Sequence, residues 1–457
     1  MEETEGFQLT RFLHELAPRD IPDDARVMAK ACILDAFGCA FFGSTQPWSQ
    51  ILAAELASDG GDGAATVIGR ALRLPVTAAA ICNGTAIHGF ELDDLIAESI
   101  IHPAAAVVPA ALAAAEANGA RGDILVKAVV AGYETMHRIG LGMGTEPAGR
   151  GFHTTSLTAP TAAAMAASIV MDLPLDQLRS AVGLSASAAG GIKNFAAGNG
   201  GGMVKRLHLG RAAGEGVRSS RLAAAGFMGP PGAIDGKFGL LPVYGGSGAN
   251  PARLVADLGS TWAINQVWFK GYPICGWIHS VMQVLLDLRG DGPLDPEDVE
   301  QVIVGVSSYA ARNNGEKAPT DTMGAQYSIP FCSAVALLGD PRDPDSFRTE
   351  AVADPRTRAL AQRVDLVVDP DVEAVYPAKF GARVSLRLRN GTERQGMVME
   401  CHGTPADPCS ADELRDKFLL LACKRISVSR AEEIADLVEN LENLESVTDL
   451  ALLLAAD

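Results

Sequence analysis

The apolar positions fall into long Ala- and Gly-rich runs with short polar breaks, then a stretch of mixed texture, then amphipathic helix again. Ile21-Pro22-Asp23-Asp24 places a proline and two acids in a first turn, so a helix is predicted from there to about Phe42. Further helices are predicted over 49–58, 75–90, 103–118, 121–141, 157–171, 175–188 and 205–226. Gly229-Pro230-Pro231-Gly232 and Gly245-Gly246-Ser247-Gly248 punctuate them. Near Thr261 the pattern shortens. Val302 to Ser307 and Val364 to Val368 read as strands, and Val384 to Leu388 with Gln395 to Met399 flank the hairpin signal Asn390-Gly391. Ser410-Ala411-Asp412-Glu413 is a capping-box start, after which the chain is helical. The expected fold class is mainly α with an inserted α+β domain: a large all-helical domain from 1–262 and 404–457, and a smaller domain over 263–403.

Composition narrows the function. A chain of 457 residues suits two domains, and 48% hydrophobic with 20% charged residues describes a globular protein with a large core. The formal net charge of −17 argues against nucleic acid or an anionic membrane as partner, since both need a basic face. Met1-Glu2-Glu3-Thr4-Glu5 lacks the basic start of a signal peptide. The most apolar stretch, Pro103 to Leu112, runs into Glu116 and Asn118 and is expected to be a buried helix, not a membrane span. Cysteines at 32, 39, 82, 275, 332, 401, 409 and 423 form no C-x-x-C pair. Free thiols and a cytoplasmic location are therefore expected.

Four segments set ionisable side chains beside glycine turns and helix ends. In His88-Gly89-Phe90-Glu91-Leu92-Asp93-Asp94, a continued helix would align His88, Glu91 and Asp94 at i, i+3 spacing, and His102-Pro103 follows. Arg150-Gly151-Phe152-His153 precedes an Ala-rich helix, where free backbone N–H groups suit a carboxylate. Gly200-Gly201-Gly202 feeds Lys205, Arg206 and His208, with Lys205 as a cationic clamp; it is not a P-loop. In Lys270-Gly271-Tyr272-Pro273-Ile274-Cys275-Gly276-Trp277-Ile278-His279 a helix begins at His279, whose imidazole the helix dipole would keep neutral as a base. Cys275 is a rival nucleophile, ranked below proton transfer because no G-x-S-x-G-type signature occurs. No nucleotide fingerprint and no H-x-x-x-H spacing is present, so neither a cofactor nor a dedicated metal is expected.

These segments, in this order, resemble the MmgE/PrpD family, which includes 2-methylcitrate dehydratase, cis-aconitate decarboxylase and iminodisuccinate epimerase. Asp235-Gly236-Lys237-Phe238-Gly239, Gln326-Tyr327-Ser328 and Asp416-Lys417-Phe418 extend the likeness over nearly the whole chain. The resemblance implies a helical domain, a smaller α+β lid domain, a homodimer, and cofactor-free, metal-independent chemistry on small anionic polycarboxylates. It carries the decarboxylase pocket onto Glu91, Leu95, His102, His153, Lys205 and His279. Two positions depart: that branch has Asp where Glu91 stands and Thr where Leu95 stands, and the Glu91–His102 spacing is one residue longer. Leu95 would favour a substrate with one polar group fewer or an alkyl substituent.

The expected function is a cofactor-independent lyase, a dehydratase or decarboxylase, working by proton transfer next to a carboxylate. The alternatives are an isomerase epimerising an iminodisuccinate-like acid, and a non-catalytic polycarboxylate-binding homologue. His153 and His279 are the expected acid/base pair, with Glu91 the alternative base. Lys205 and His102 neutralise carboxylates; His88, Asp94, Leu95, Arg150, Arg206, Lys270 and Tyr327 complete the substrate contacts.

Overall fold

The computed structural model describes residues 3–61, 63–196, 201–376 and 378–456. The fold is mainly α-helical with a smaller α+β part. It separates into a helical unit of Met1–Gly89, Asp93–Trp268 and Ser410–Asp457, and an α+β unit of Phe90–Leu92 and Phe269–Cys409.

The helical unit is built from Asp23–Ser44, Val76–Ile87, Ala104–Asn118, Gly122–Met143, Thr154–Val170, Leu175–Ala186 and Met203–Ala224, joined by Ala411–Ala422 and Val428–Glu439. Alanine loses no side-chain entropy in a helix and lets helix axes approach, so Ala-rich runs suit buried helices. Every residue from Ala104 to Glu116 is buried. Gly119 ends that helix in the left-handed conformation at φ 58°. Two helices approach closely where Gly84 faces Gly210: a Cβ on Gly84 would lie 2.9 Å from the Gly210 Cα and 2.6 Å from the Ala105 carbonyl oxygen. That contact seats Met203–Ala224 against Val76–Ile87, the two helices that carry Lys205, His208 and His88 at or beside their ends.

The long apolar helix is Asp23–Ser44, not the Pro103 region singled out above. By length and composition alone it could cross a membrane, but it is largely buried in the unit. Its Asp35 is paired with Lys417 of Ala411–Ala422, Oδ1 to Nζ, at 2.5 Å. The capping box forms as expected: Ser410 Oγ accepts from the Glu413 N–H, and the Glu413 carboxylate accepts from the Ser410 N–H.

In the α+β unit four strands lie in the order Val364–Val368, Val299–Val306, Ala382–Leu388, Glu393–Val398. The first pair is parallel and the others antiparallel. Ala382–Leu388 alternates buried and half-buried residues, the signature of a sheet covered on one face. His279–Arg289 packs on that sheet. Asn390-Gly391 turns the last hairpin, with Gly391 at φ 87°. The strand expected to reach Ser307 stops at Val306, because Ser307 instead caps Ser308–Asn313, its side chain accepting from the Ala310 N–H.

Candidate active site

In the helical unit, residues far apart in sequence meet around one group of imidazoles. His88 follows the end of Val76–Ile87, fully enclosed, and its Nδ1 lies 2.6 Å from Asp93 Oδ2. The His102 ring stands edge-on to His88 at 5.1 Å, and the His153 ring is stacked on it at 5.9 Å. His102 Nδ1 is 2.7 Å from the Asp94 carbonyl oxygen. A carbonyl can only accept, so Nδ1 carries the proton and Nε2 is the basic atom.

His153 caps Thr154–Val170, and its backbone N–H donates to the Gly191 carbonyl at 2.9 Å. Gly191 needs to be glycine: its φ is 145°, and a Cβ would lie 3.1 Å from His208 Nδ1 and closer still to Ser156 Oγ. His153 Nδ1 and His208 Nδ1 are 3.1 Å apart, a distance that calls for one proton shared between two rings. Burial keeps His153 well below the ordinary histidine range, and the neighbouring His88, Lys205, His208 and His102 push in the same direction. His208 is pushed down to about 4 by burial, His88, Arg211 and Lys205. Both rings are neutral at neutral pH. Lys205, 2% exposed, holds its ammonium 6.0 Å from the centre of the Phe195 ring. Phe195 also meets His153 edge-on at 5.2 Å.

Behind the histidines lies a second layer of buried carboxylates. Asp94 accepts from Tyr133 Oη at 2.7 Å and from the Ala104 N–H at 3.1 Å. Burial raises it to about 7, with Asp35 and Asp93 adding to the rise against the Tyr133 hydrogen bond. Asp35 is likewise raised by burial, and Lys417 opposes this.

Within the α+β unit, Lys270 Nζ and Glu91 Oε2 are 3.6 Å apart and both side chains are buried. Glu91 adopts φ 58°, which is unusual for a non-glycine residue and costs backbone strain. His279 opens its helix after the turn Gly276–Ile278, is buried, and faces the Tyr272 ring at 5.5 Å. Tyr327 is half-buried at the end of Thr322–Gln326.

The expected helix face does not form. His88, Glu91 and Asp94 do not share a helix face: the α-helix ends at Ile87, His88–Phe90 tightens to a 3-10 turn, and Glu91 turns left-handed. Arg150 stands away from the histidines, 46% exposed, over the Phe152 ring and donating to the Tyr244 carbonyl. Arg206 is buried but spoken for by structure, donating to the Gly89 and Gly202 carbonyls and stacking on Trp48. Leu95 is buried, its backbone paired with Trp268. Gly200, the front of the glycine run, lies outside the described residues. The absence of a metal-ligand spacing in sequence did not preclude a gathered donor set: His88, Asp93 and His102 bring potential ligand atoms within 4.8 Å of one another.

His208 and Asp93 were named in their segments without a part in the proton transfer, and Phe195 was passed over. His208 sits three residues after Lys205 on one helix, a spacing that could have singled it out. Asp93 was hidden inside an acidic run. Phe195 carries no local signal.

Sequence comparison gives the frame for this geometry. The profile of the MmgE/PrpD N-terminal domain matches residues 7–251, and that of the C-terminal domain matches residues 272–443. The cis-aconitate decarboxylase-like protein oryM of Aspergillus oryzae is 29% identical, covering 98% of this chain and 97% of its own. The cis-aconitate decarboxylase of Aspergillus terreus is 28% identical over 98% of this chain and 95% of its own. The human cis-aconitate decarboxylase is 27% identical over 99% of this chain and 94% of its own. With two domain profiles together spanning most of its length, the chain belongs to the MmgE/PrpD family.

Proposed function

We propose that the protein is a cofactor-independent lyase that decarboxylates or dehydrates a small di- or tricarboxylic acid, with decarboxylation as the leading reaction. The observation that carries this is the buried pair of neutral imidazoles, His153 and His208, beside the Lys205 ammonium. The decarboxylases named among its relatives support the choice of reaction.

When carbon dioxide leaves, the bonding electron pair stays on carbon and spreads toward a remaining carboxylate. That developing charge is costly in a buried site unless a cation already stands there. Lys205 supplies the cation. A protonated imidazole then returns a proton to carbon, and His153 is the group assigned to that step. Burial and its positive neighbours keep His153 neutral, while a polyanionic substrate would oppose that field and favour the charged ring. Dehydration uses the same groups, one base taking the proton next to the carboxylate while a protonated imidazole gives its proton to the β-hydroxyl, which departs as water.

The test is an NMR time course with cis-aconitate, 2-methylcitrate, citrate and iminodisuccinate in deuterated buffer. Carbon dioxide release with a new deuterated alkene product is the expected result, and loss of water from a hydroxy acid would mark dehydration. Label exchange without bond cleavage would replace the lyase with an epimerase. No turnover and no exchange on any of them would leave only a binding protein.

The same proposal takes a second copy of the chain as partner and a reducing cytoplasm as location, supported by eight cysteines that all stand as free thiols. A sedimentation mass of one chain would remove the dimer.

A further inference from the structure

We propose that Asp93 and His88 form a buried charge relay that positions the His153 and His102 rings and holds them as bases, without itself touching substrate. The proposal rests on the lyase reading for its purpose, but its geometry stands apart from any substrate.

Asp93 and His88 are both fully enclosed. A carboxylate without solvent persists in its charged form only against a partner, and the 2.6 Å contact to His88 Nδ1 is of charge-assisted length. The same oxygen, Oδ2, lies 3.6 Å from His102 Nδ1, within Coulombic reach of that ring but beyond hydrogen-bond length, the Nδ1 proton going to the Asp94 carbonyl. The contact is also too short for a shared metal ion: two ligands of a tetrahedral zinc stand about 3.3 Å apart. A proton, not a cation, joins Asp93 to His88. The Asp93 contact favours a protonated His88, whose ring stands 5.9 Å from His153 and is stacked on it. Burial lowers both His153 and His208, and His88 acts in the same direction on each.

Other groups face the relay from each element packed on it. Met203–Ala224 brings Lys205, Arg206 and His208. The chain after Asp93 brings Asp94 and His102. Asp35 of Asp23–Ser44 interacts with Asp93 from behind and is held by Lys417. Lys205 acts on His153 in the same direction as His88, so removing the relay should release only part of the depression.

The experiment follows the histidine ring signals of full-length protein labelled at histidine Cε1, from pH 4 to 9, in wild type, Asp93→Asn, Asp93→Glu and His88→Asn. Asp93→Asn removes the anion, so His88 should lose its charge and the His153 titration should rise by about one pH unit. The pH profile of kcat should move with it and its maximum fall at least about tenfold, with KM changing less. Asp93→Glu should restore part of both. His88→Asn, which keeps a donor near the Nδ1 position, should match Asp93→Asn and serves if that variant does not fold. Unchanged His153 titration and an unshifted profile in the folded variants would make the pair structural packing and overturn the proposal. So would one retained equivalent of zinc that stops the ring signals titrating. If no polycarboxylate is turned over, the lyase reading fails while the ring titrations still decide the relay.

Discussion

At the scale of single residues, each unit separately holds positive charge where water is excluded. Lys205 and Lys270 are both buried, and each sits among groups that shape its field: histidines and Phe195 around the first, Glu91 beside the second. Replacing Lys205 with Met keeps the length of the stem and removes the charge. We expect kcat to fall by about 10²–10³ with the melting temperature little changed; a variant with wild-type turnover would remove Lys205 from the site. The depressed His153 and His208 make a second prediction. Burial and positive neighbours hold both below the ordinary range, and a bound polyanion would raise both, so binding should take up protons and tighten as pH falls. Calorimetry in buffers of different ionisation enthalpy measures this uptake, and identical heats in all buffers would contradict it. Of these groups, Lys205, His153, His102, His279 and Glu91 could be picked from the sequence because they stand at glycine turns and helix ends. What could not be picked was the partner of each. His153 and His208 are 55 positions apart, and no local rule joins them.

At the scale of elements, helix starts and stops were legible because they rest on short-range chemistry. Ser410 and Glu413 satisfy each other's N–H groups wherever the helix goes, and Asn390-Gly391 accepts the positive φ of a hairpin by itself. The region after Ile87 was not legible. Its i, i+3 spacing suggested continued helix, yet a 3-10 turn and the left-handed Glu91 redirect every side chain that follows. Packing between elements also depends on absent side chains. Gly210→Ala would push a methyl into Val76–Ile87, where Thr85 and the Ile81 carbonyl already stand. We expect a loss of about 1–3 kcal/mol in denaturant unfolding, and reduced turnover because Lys205 lies on one of the helices forced apart and His88 follows directly on the other. Stability within experimental error of wild type would show that the helices can shift without cost.

At the scale of the whole molecule, the net charge of −17 coexists with buried cations and buried carboxylates. Asp94 makes this measurable. Its folded value of about 7 lies above the ordinary aspartate value of 3.8, so the folded state binds more protons than the unfolded chain between those values. Its contribution to stability is therefore greatest at acid pH and is lost as pH rises toward 7. Asp94→Asn should flatten that slope in unfolding experiments between pH 4 and 8; an unaltered slope would mean that Asp94 titrates normally. The amino-acid sequence by itself determined the helical character of most of the chain, the position of the α+β stretch, the caps and turns, and the segments bearing ionisable groups. All of these follow from propensities and contacts within a few residues. The tertiary structure alone decided that His88 answers to Asp93, that His153 shares a proton with His208, that Arg150 stays at the surface, and that Lys417 reaches Asp35 across 382 positions. Such pairings, and the protonation states they impose, arise only when packing excludes water and fixes which charges are neighbours.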